Sequence, residues 1–176
     1  MWTRISLPCV TAIFILAQHP SCAQQAALPI HTESRSVPSD WLLDGAGFKA
    51  GVFRSADGKD IILDNGLLRR SFRITPGFGC HDFYNRSSGQ QLIRSVKPEV
   101  RIMLDGKSYD VGGLSGQREH GYLRNEWLDG MQAAEGAFRY KGYTTGPITP
   151  FIRWKKKAWA AAAAEPAGIT LTLMFS

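Results

Sequence analysis

Residues 120–129, HGYLRNEWLD, contain the densest group of aromatic and charged side chains that could bind a ligand. Aromatic faces together with planar polar groups bind sugars, because the polar groups fix the hydroxyls, and this matches the general anatomy of polar ligand sites. The stretch reads as a loop, and loops on a rigid scaffold carry function more often than strands do. The candidate substrate-binding residues are His120, Tyr122, Arg124 and Trp127. The same composition also fits a structural role, in which the apolar residues of the stretch anchor an irregular loop.

Two adjacent acid–imidazole pairs, His81-Asp82 and Glu119-His120, have the residue types of acid–base catalysis. Neither pair has a nucleophile at a recognisable spacing, so the sequence predicts no catalytic residue. We interpret both histidines as structural or surface groups.

The N-terminus has the three parts of a secretory signal peptide. Arg4 supplies the positive charge, residues 5–17 are apolar but too short to span a bilayer comfortably, and Ser21 and Ala23 are the small residues before a cleavage site. The sequence therefore predicts a signal peptide at residues 1–23 with cleavage after Ala23. It also predicts export to the periplasm or the extracellular space, with no stable membrane span once the leader is removed. Residues 24–40, polar with two prolines, predict a linker or an extended lead-in.

Loss of this leader leaves Cys80 as the single cysteine, which excludes an internal disulfide. Neighbours in a strand point to opposite faces, so His81 is not expected to act as a base for Cys80, and the thiol is interpreted as buried and unreactive. Four scattered histidines and one cysteine show no metal-ligand spacing. No metal or other cofactor is expected.

The net charge of +6 favours acidic partners only slightly. The one basic run, at residues 155–157, has tryptophans on both sides, but three lysines fall short of the dense basic stripe of a nucleic-acid binder. No glycine-rich phosphate loop is present. We expect no nucleic-acid partner.

Two dipeptides typical of β-hairpin turns indicate that the candidate residues belong to a β-sheet protein. Asn65-Gly66 and Asp105-Gly106 each predict a two-residue hairpin turn, because both central positions of such a turn need positive φ. At the second turn the hydrophobic pattern also predicts the register, with Leu104 opposite Lys107, Ile102 opposite Tyr109 and Val100 opposite Val111.

Further elements follow from composition and alternation. We expect a hairpin with arms at 78–84 and 91–96, a short helical stretch at 125–134, and strands at 138–143 and 169–175. About seven to nine strands without βαβ alternation predict an all-β fold, an antiparallel β-sandwich at residues 41–176. The amphipathic strand at the end of the sequence suggests a sandwich that is incomplete at its C-terminus. The alternative is a last strand that pairs inside the sheet.

Three arginines occupy the strand that follows Asn65-Gly66. Alternation predicts that Phe72 and Ile74 face the core, while Arg69 and Arg73 face water. Arg70 falls on the apolar side. Either the strand frays at the sheet edge there, or the Arg70 guanidinium is paired with a carboxylate.

Three phrases resemble the N-terminal region of exported bacterial glycoside hydrolases related to the melibiase-type α-galactosidases (glycoside hydrolase family 36-like): LDNGLLRRSFRI, SGQQLIRSVKPEVRIMLDGKSYDVGGLSGQ and YLRNEWLD. In that family a large β-sandwich (supersandwich) precedes a (β/α)₈ barrel, whose two aspartates act as nucleophile and acid/base. The resemblance covers roughly residues 41–176 and includes no catalytic motif, since the family's Lys-Trp-Asp phrase is absent. It implies a non-catalytic domain that packs on a downstream catalytic barrel and lends a loop to the sugar pocket.

Two other functions stay open. A free-standing carbohydrate-binding module needs a row or pocket of exposed aromatic side chains. An exported adhesion or structural sandwich needs no sugar specificity. In each case the chain by itself is expected to be inactive, whatever the activity of a parent protein.

Overall fold

The computed structural model describes residues 27–33, 40–149 and 168–176. Within these ranges the protein is all-β with antiparallel strand pairs, as expected. It has eleven strands, of which three are two residues long, and one short 3₁₀ helix. The predicted signal peptide with its cleavage site at Ala23, most of the lead-in and the basic run at 155–157 lie outside the described residues.

Five strands form one antiparallel sheet in sequence order: β1 (Gly51–Arg54), β2 (Asp60–Asp64), β3 (Leu68–Arg73), β4 (Gly79–Asn85) and β5 (Gln90–Gln91). The other strands form three pairs: β6 (Val100–Leu104) with β7 (Lys107–Val111), β8 (Leu114–Ser115) with β9 (Gln132–Ala133), and β10 (Tyr140–Pro147) with β11 (Ile169–Phe175). The 3₁₀ helix, Asn125–Gly130, lies between β8 and β9.

The main core lies between the five-stranded sheet and the β10–β11 hairpin, so that two β layers face each other. Phe72 and Phe78 are buried with their rings stacked 5.4 Å apart, and the Phe175 ring meets Phe78 edge-on at 5.1 Å. The alternation predicted for the last strand is confirmed, since Leu171 and Leu173 pack on this core while the intervening residues are exposed. That strand pairs along its length with β10.

The two predicted hairpin turns have different outcomes. Asp105 (φ 49°) and Gly106 (φ 75°) form the expected turn, and all three predicted pairs of β6 and β7 are present. The prediction for Asn65-Gly66 is wrong by one residue, because Asp64 pairs with Arg69 and the turn centres on Gly66-Leu67. The Asn65 side-chain oxygen accepts the amide protons of residues 67 and 68, and the Asp64 carboxylate accepts that of Gly66. These hydrogen bonds to side chains favour a two-residue turn at Gly66-Leu67 over one at Asn65-Gly66.

Three element boundaries also differ from expectation. The second arm of the middle hairpin shortens to β5, because the Gln91 side-chain oxygen accepts the amide protons of Phe83 and Ile93 in place of strand pairing. The helical stretch ends at Gly130, and the chain then extends into β9. The strand expected at 138–143 begins at Tyr140 and continues to Pro147, since β11 supplies its partner ladder.

The arginine face of the sheet, defined here by Arg69, Ser71 and Arg73 of β3, does not face water as predicted. Arg73 is 6% exposed, with Nε 2.6 Å from an Asp60 oxygen and Nη1 2.6 Å from an Asp129 oxygen. Arg69 is half-buried and donates from Nε to Asp82 at 2.7 Å. Alternation identifies the face of a strand, but it does not reveal what covers that face.

One cover of the arginine face is the lead-in. Residues 27–33 lie along β1, where the His31 amide donates to the Arg54 carbonyl at 2.8 Å. The His31 ring then reaches Asp64, with Nε2 2.8 Å from the carboxylate, while Glu33 pairs with Arg69 and Arg86. This part of the lead-in is therefore attached to the sheet.

Arg70 takes the second of its two predicted arrangements, in which it is paired with a carboxylate. Its Nη2 lies 2.8 Å from a Glu99 oxygen, and its guanidinium lies 4.9 Å from the centre of the Phe72 ring. The other Glu99 oxygen accepts the Cys80 amide proton at 3.1 Å. Glu99 therefore satisfies a charge and a backbone donor on the apolar face.

Candidate binding cleft

The loop that carries the candidate residues connects β8 to β9. Those two strands pair Leu114 with Ala133 and Ser115 with Gln132, which brings the two ends of the loop together. A loop with closed ends is more restricted than a free connection of the same length. The β8–β9 ladder is thus the base on which residues 116–131 are arranged.

Gln117 organises the first half of this loop. Its side-chain amide nitrogen donates to the carbonyl oxygens of Arg94, Glu119 and Tyr122 at 2.5–3.3 Å. Its side-chain oxygen accepts the Val96 amide proton at 3.0 Å. One glutamine therefore ties the loop to the chain before β6. The sequence analysis missed Gln117, since no feature of the flanking residues distinguishes it from other exposed glutamines.

The 3₁₀ helix is fixed from two sides. Leu128 is fully buried and packs with Met131, Val96 and Leu114, which form a second core cluster. The next residue, Asp129, accepts hydrogen bonds from Arg73 and from Lys59, the latter at 2.9 Å. Apolar packing and an ion pair to the arginine face together position the residues that precede Leu128.

These supports form an open cleft of about 460 Å³ beside the helix. This volume lies within the range of small-molecule sites. The residues that line the cleft are Gly116, Arg118, Arg124, Glu126, Trp127 and Gly130.

Aromatic and charged groups meet at this cleft. The Tyr122 and Trp127 rings are 5.3 Å apart at 44°, and the Arg124 guanidinium lies 5.8 Å from the first ring centre and 6.0 Å from the second. Such cation–π contacts hold a guanidinium in place while its N–H groups stay available. Arg124 Nη1 lies 3.4 Å from a Glu126 oxygen, at the long end of an ion pair. The cleft therefore offers a ring, several donors and one carboxylate acceptor.

The structure groups three of the four sequence-predicted residues. Arg124 and Trp127 line the cleft, and Tyr122 packs against Trp127 from outside the lining. His120 is exposed and lies outside the lining. Trp127 also packs against the second core cluster, so it serves the anchoring role as well as the cleft. Arg118, which the sequence analysis did not single out, is a further lining residue.

Neither acid–imidazole pair has the geometry of an acid–base couple. Glu119 accepts the amide protons of Gly121 and His120, and these backbone bonds hold the pKa of its carboxyl group below the ordinary value of 4.5. A β-bulge at His81 places Cys80 opposite Phe72 but Asp82 opposite Ser71. His81 then lies on the arginine face, with Nε2 3.4 Å from an Asp60 oxygen, and neither ring nitrogen has a hydrogen-bond partner among the described residues.

Cys80 is buried in the main core, as expected for an unreactive thiol. Burial raises the pKa of the thiol, although the nearby Arg70 guanidinium acts in the opposite direction. A thiol held in its protonated form is a weak nucleophile. Among the described residues, no group of three or more histidine, cysteine, aspartate and glutamate side chains is placed to hold a metal ion. No helix in the described ranges has the length and apolar character needed to cross a membrane.

Comparisons with protein-family models, with characterised proteins and with solved structures found no match to this chain. The function is therefore argued from the residues themselves. The cleft beside Trp127 is the feature with the most specific chemistry.

Proposed function

We propose that this chain is the non-catalytic β-sandwich module of an exported glycoside hydrolase similar to the melibiase-type α-galactosidases. In this role the module packs on a downstream catalytic barrel and contacts carbohydrate through the cleft beside Trp127. The observation that carries the proposal is the meeting of the Trp127 ring with the Arg124 guanidinium in an open cleft.

The cleft suits a sugar for physical reasons. A pyranose ring has an apolar face that stacks on an aromatic side chain, and its hydroxyls accept from guanidinium N–H groups and donate to carboxylates. Trp127, Arg124 and Glu126 supply one group of each type. Arg124 is 59% exposed at its side chain, so its donors are open to a ligand from solvent.

Exposed apolar side chains on the β6–β7 hairpin support the contact with a neighbouring domain. Val100 and Leu104 share one face of β6, yet they are 51% and 52% exposed, and Met103 on the other face is 72% exposed. An isolated two-stranded hairpin is marginal in water, so cover from a neighbouring domain would stabilise it. We assign this hairpin to the contact with the catalytic barrel.

The sugar contact is tested with the full chain by affinity gel electrophoresis in a panel of soluble polysaccharides. Trp127→Ala should weaken retention at least about fivefold, by analogy with base–aromatic stacking, which is worth roughly 1–3 kcal/mol. Trp41→Ala is the control for loss of a tryptophan elsewhere, because Trp41 is solvent-exposed and does not line the cleft, whereas Trp127 is half-buried beside it. Arg124→Ala, at an exposed side chain, gives a second variant whose fold is not at risk.

Three outcomes separate the alternatives. Failure of every polysaccharide to retard the chain contradicts the sugar contact and leaves an adhesion or structural sandwich. Equal loss in Trp41→Ala and Trp127→Ala contradicts the cleft as the site. A reading frame that continues downstream into a (β/α)₈ barrel supports the accessory role, whereas a stop with cleft-dependent binding favours a free-standing carbohydrate-binding module.

A further inference from the structure

The charge of the cleft favours a particular class of sugar. Among the described residues, its lining contains two guanidinium groups, Arg118 and Arg124, and one carboxylate, Glu126. A neutral sugar needs no such excess of positive charge, since hydroxyls are bound equally well by amides and hydroxyl groups. The excess points to a ligand that carries negative charge.

Arg118 is the decisive residue. Within the described part of the chain, no hydrogen bond or ion pair engages its guanidinium, and it is an exposed residue of the cleft lining. By contrast, five other arginines are each bonded to a carboxylate: Arg69, Arg70, Arg73, Arg86 and Arg101. Arg94 and Arg139 are exposed and have no such bond in the described structure, but neither lines the cleft. An arginine left without a carboxylate in a concave site can offer its planar fork of donors to a ligand anion.

Arg124 is already positioned but only weakly neutralised. Two aromatic rings hold its guanidinium, and its contact with Glu126 is a long one between two well-exposed side chains. Exposed ion pairs of this type are worth little, so a ligand anion can replace Glu126 at small cost. The two arginines and the Trp127 ring together form a site for an anionic substituent beside a sugar ring.

We propose that the cleft binds an acidic carbohydrate, one whose sugars carry carboxylate or sulfate groups, with the anion held by Arg118 and Arg124 and a sugar face on Trp127. This inference rests on the proposed function, because it presupposes that the cleft contacts carbohydrate. It goes further by naming the charge of the ligand.

The test compares polygalacturonate with the same polymer after full methyl esterification, so that the backbone is constant and the carboxylate charge is removed. Binding to the full chain is measured by isothermal titration calorimetry at low and moderate salt. We expect at least tenfold tighter binding of the free acid, and a loss of that preference in Arg118→Ala and in Arg124→Ala. A sulfated galactan in a parallel titration shows whether sulfate replaces carboxylate.

Glu126→Gln sharpens the test, because it removes the one carboxylate of the lining. We expect about threefold or greater gain in affinity for polygalacturonate and no gain for its methyl ester. A purely structural role of Glu126 would not produce this difference. Arg101→Ala is the matched control, since Arg101 is an exposed arginine on the β6–β7 hairpin, outside the cleft.

The possible results distinguish failure of the acidic preference from failure of the proposed function. Equal binding of acid and ester, lost in Trp127→Ala, overturns the acidic preference and leaves the proposed function intact. Absence of binding to any polysaccharide overturns both. Equal weakening by Arg101→Ala and Arg118→Ala also overturns the inference, because it would mean that the overall positive charge of the chain attracts the polymer.

Discussion

The arginine face of the sheet and the cleft beside Trp127 are both rich in charged side chains, but those side chains differ in burial and in pairing. On the arginine face the charges are withdrawn from water and matched, as in the pairing of Arg73 with Asp60 and Asp129. In the cleft the charges are exposed, and Arg118 has no partner among the described residues. The two regions meet at Asp129, which accepts a hydrogen bond from Arg73 and lies in the 3₁₀ helix between the cleft residues Trp127 and Gly130.

This difference distinguishes structural charge from binding charge. Desolvating a guanidinium is costly, so a buried arginine persists only with carboxylates around it, and its removal leaves those carboxylates uncompensated. An exposed arginine needs no partner, and its removal leaves the fold unchanged. Substitutions in the two regions should therefore affect different properties.

The largest effect is expected at Arg73. Arg73→Ala removes the closest partner of the largely buried Asp60 carboxylate, which among the described residues keeps only the 3.4 Å contact with His81. It also breaks the hydrogen bond to Asp129, so we expect a loss of about 3–5 kcal/mol in the free energy of unfolding. Urea denaturation followed by circular dichroism measures it. The matched control is Arg101→Ala, which breaks a comparable two-bond pair with Asp110 at a side chain that is 68% exposed. That change should cost less than about 1 kcal/mol.

If Arg101→Ala and Arg73→Ala cost the same, the distinction between the buried face and the exposed surface is wrong. Arg73→Ala should also weaken polysaccharide binding in any variant that remains folded, since Asp129 is then held by Lys59 alone among its described partners. Unchanged binding in a folded Arg73→Ala protein would show that the ion pair does not position the cleft.

A smaller loss of stability is expected when the pH is lowered. Burial alone would raise the pKa of Asp64, but hydrogen bonds from Arg86, the Gly66 amide and His31 outweigh it and hold the pKa below the ordinary value of 3.8. A lowered pKa in the folded state means that the stabilisation is fully present above this ordinary value and is lost as the pH falls through the folded pKa. Urea midpoints measured from about pH 7 to about pH 2 should fall in that window, and less steeply in Asp64→Asn.

Asp110→Asn serves as the comparison for acid. The hydrogen bond from Arg101 lowers the pKa of Asp110 as well, but that pair is on the surface. Its contribution is screened by solvent, so this variant should keep the pH profile of the unmodified chain. If Asp64→Asn and Asp110→Asn flatten the dependence of stability on pH equally, then the acid sensitivity comes from surface charge.

The smallest effect on stability is expected at Arg118. Arg118→Ala removes a side chain without a partner in the described structure, so the free energy of unfolding should change by less than about 0.5 kcal/mol. The same variant should lose the preference for acidic polysaccharide. A destabilisation close to that of Arg73→Ala would place Arg118 with the structural arginines.

Local sequence was sufficient for some of these features. The Asp105-Gly106 hairpin could be predicted down to its pairs, because both turn residues take positive φ and the flanking alternation allows one register. Of the cleft, Arg124, Trp127 and the neighbouring Tyr122 could be anticipated, because they are close in sequence and chemically distinctive.

Other features depended on residues far apart in the chain. The shift of the Asn65-Gly66 turn accompanies the binding of Asp64 by His31, 33 residues earlier, and by Arg86, 22 residues later. Gln117 acquires its role only because the chain before β6 passes within hydrogen-bond distance. Such partners leave no trace in a local pattern.

The sequence by itself determined the β character, the Asp105-Gly106 turn and the residue types available near Trp127, since these depend on backbone preference and period-two alternation. Only the tertiary structure decided which arginines are structural. Alternation assigned Arg73 to the outer face of β3, but Asp129, 56 residues later, buries it there. The free energy of a charged group depends on what surrounds it, and those surroundings exist only once distant segments have packed together.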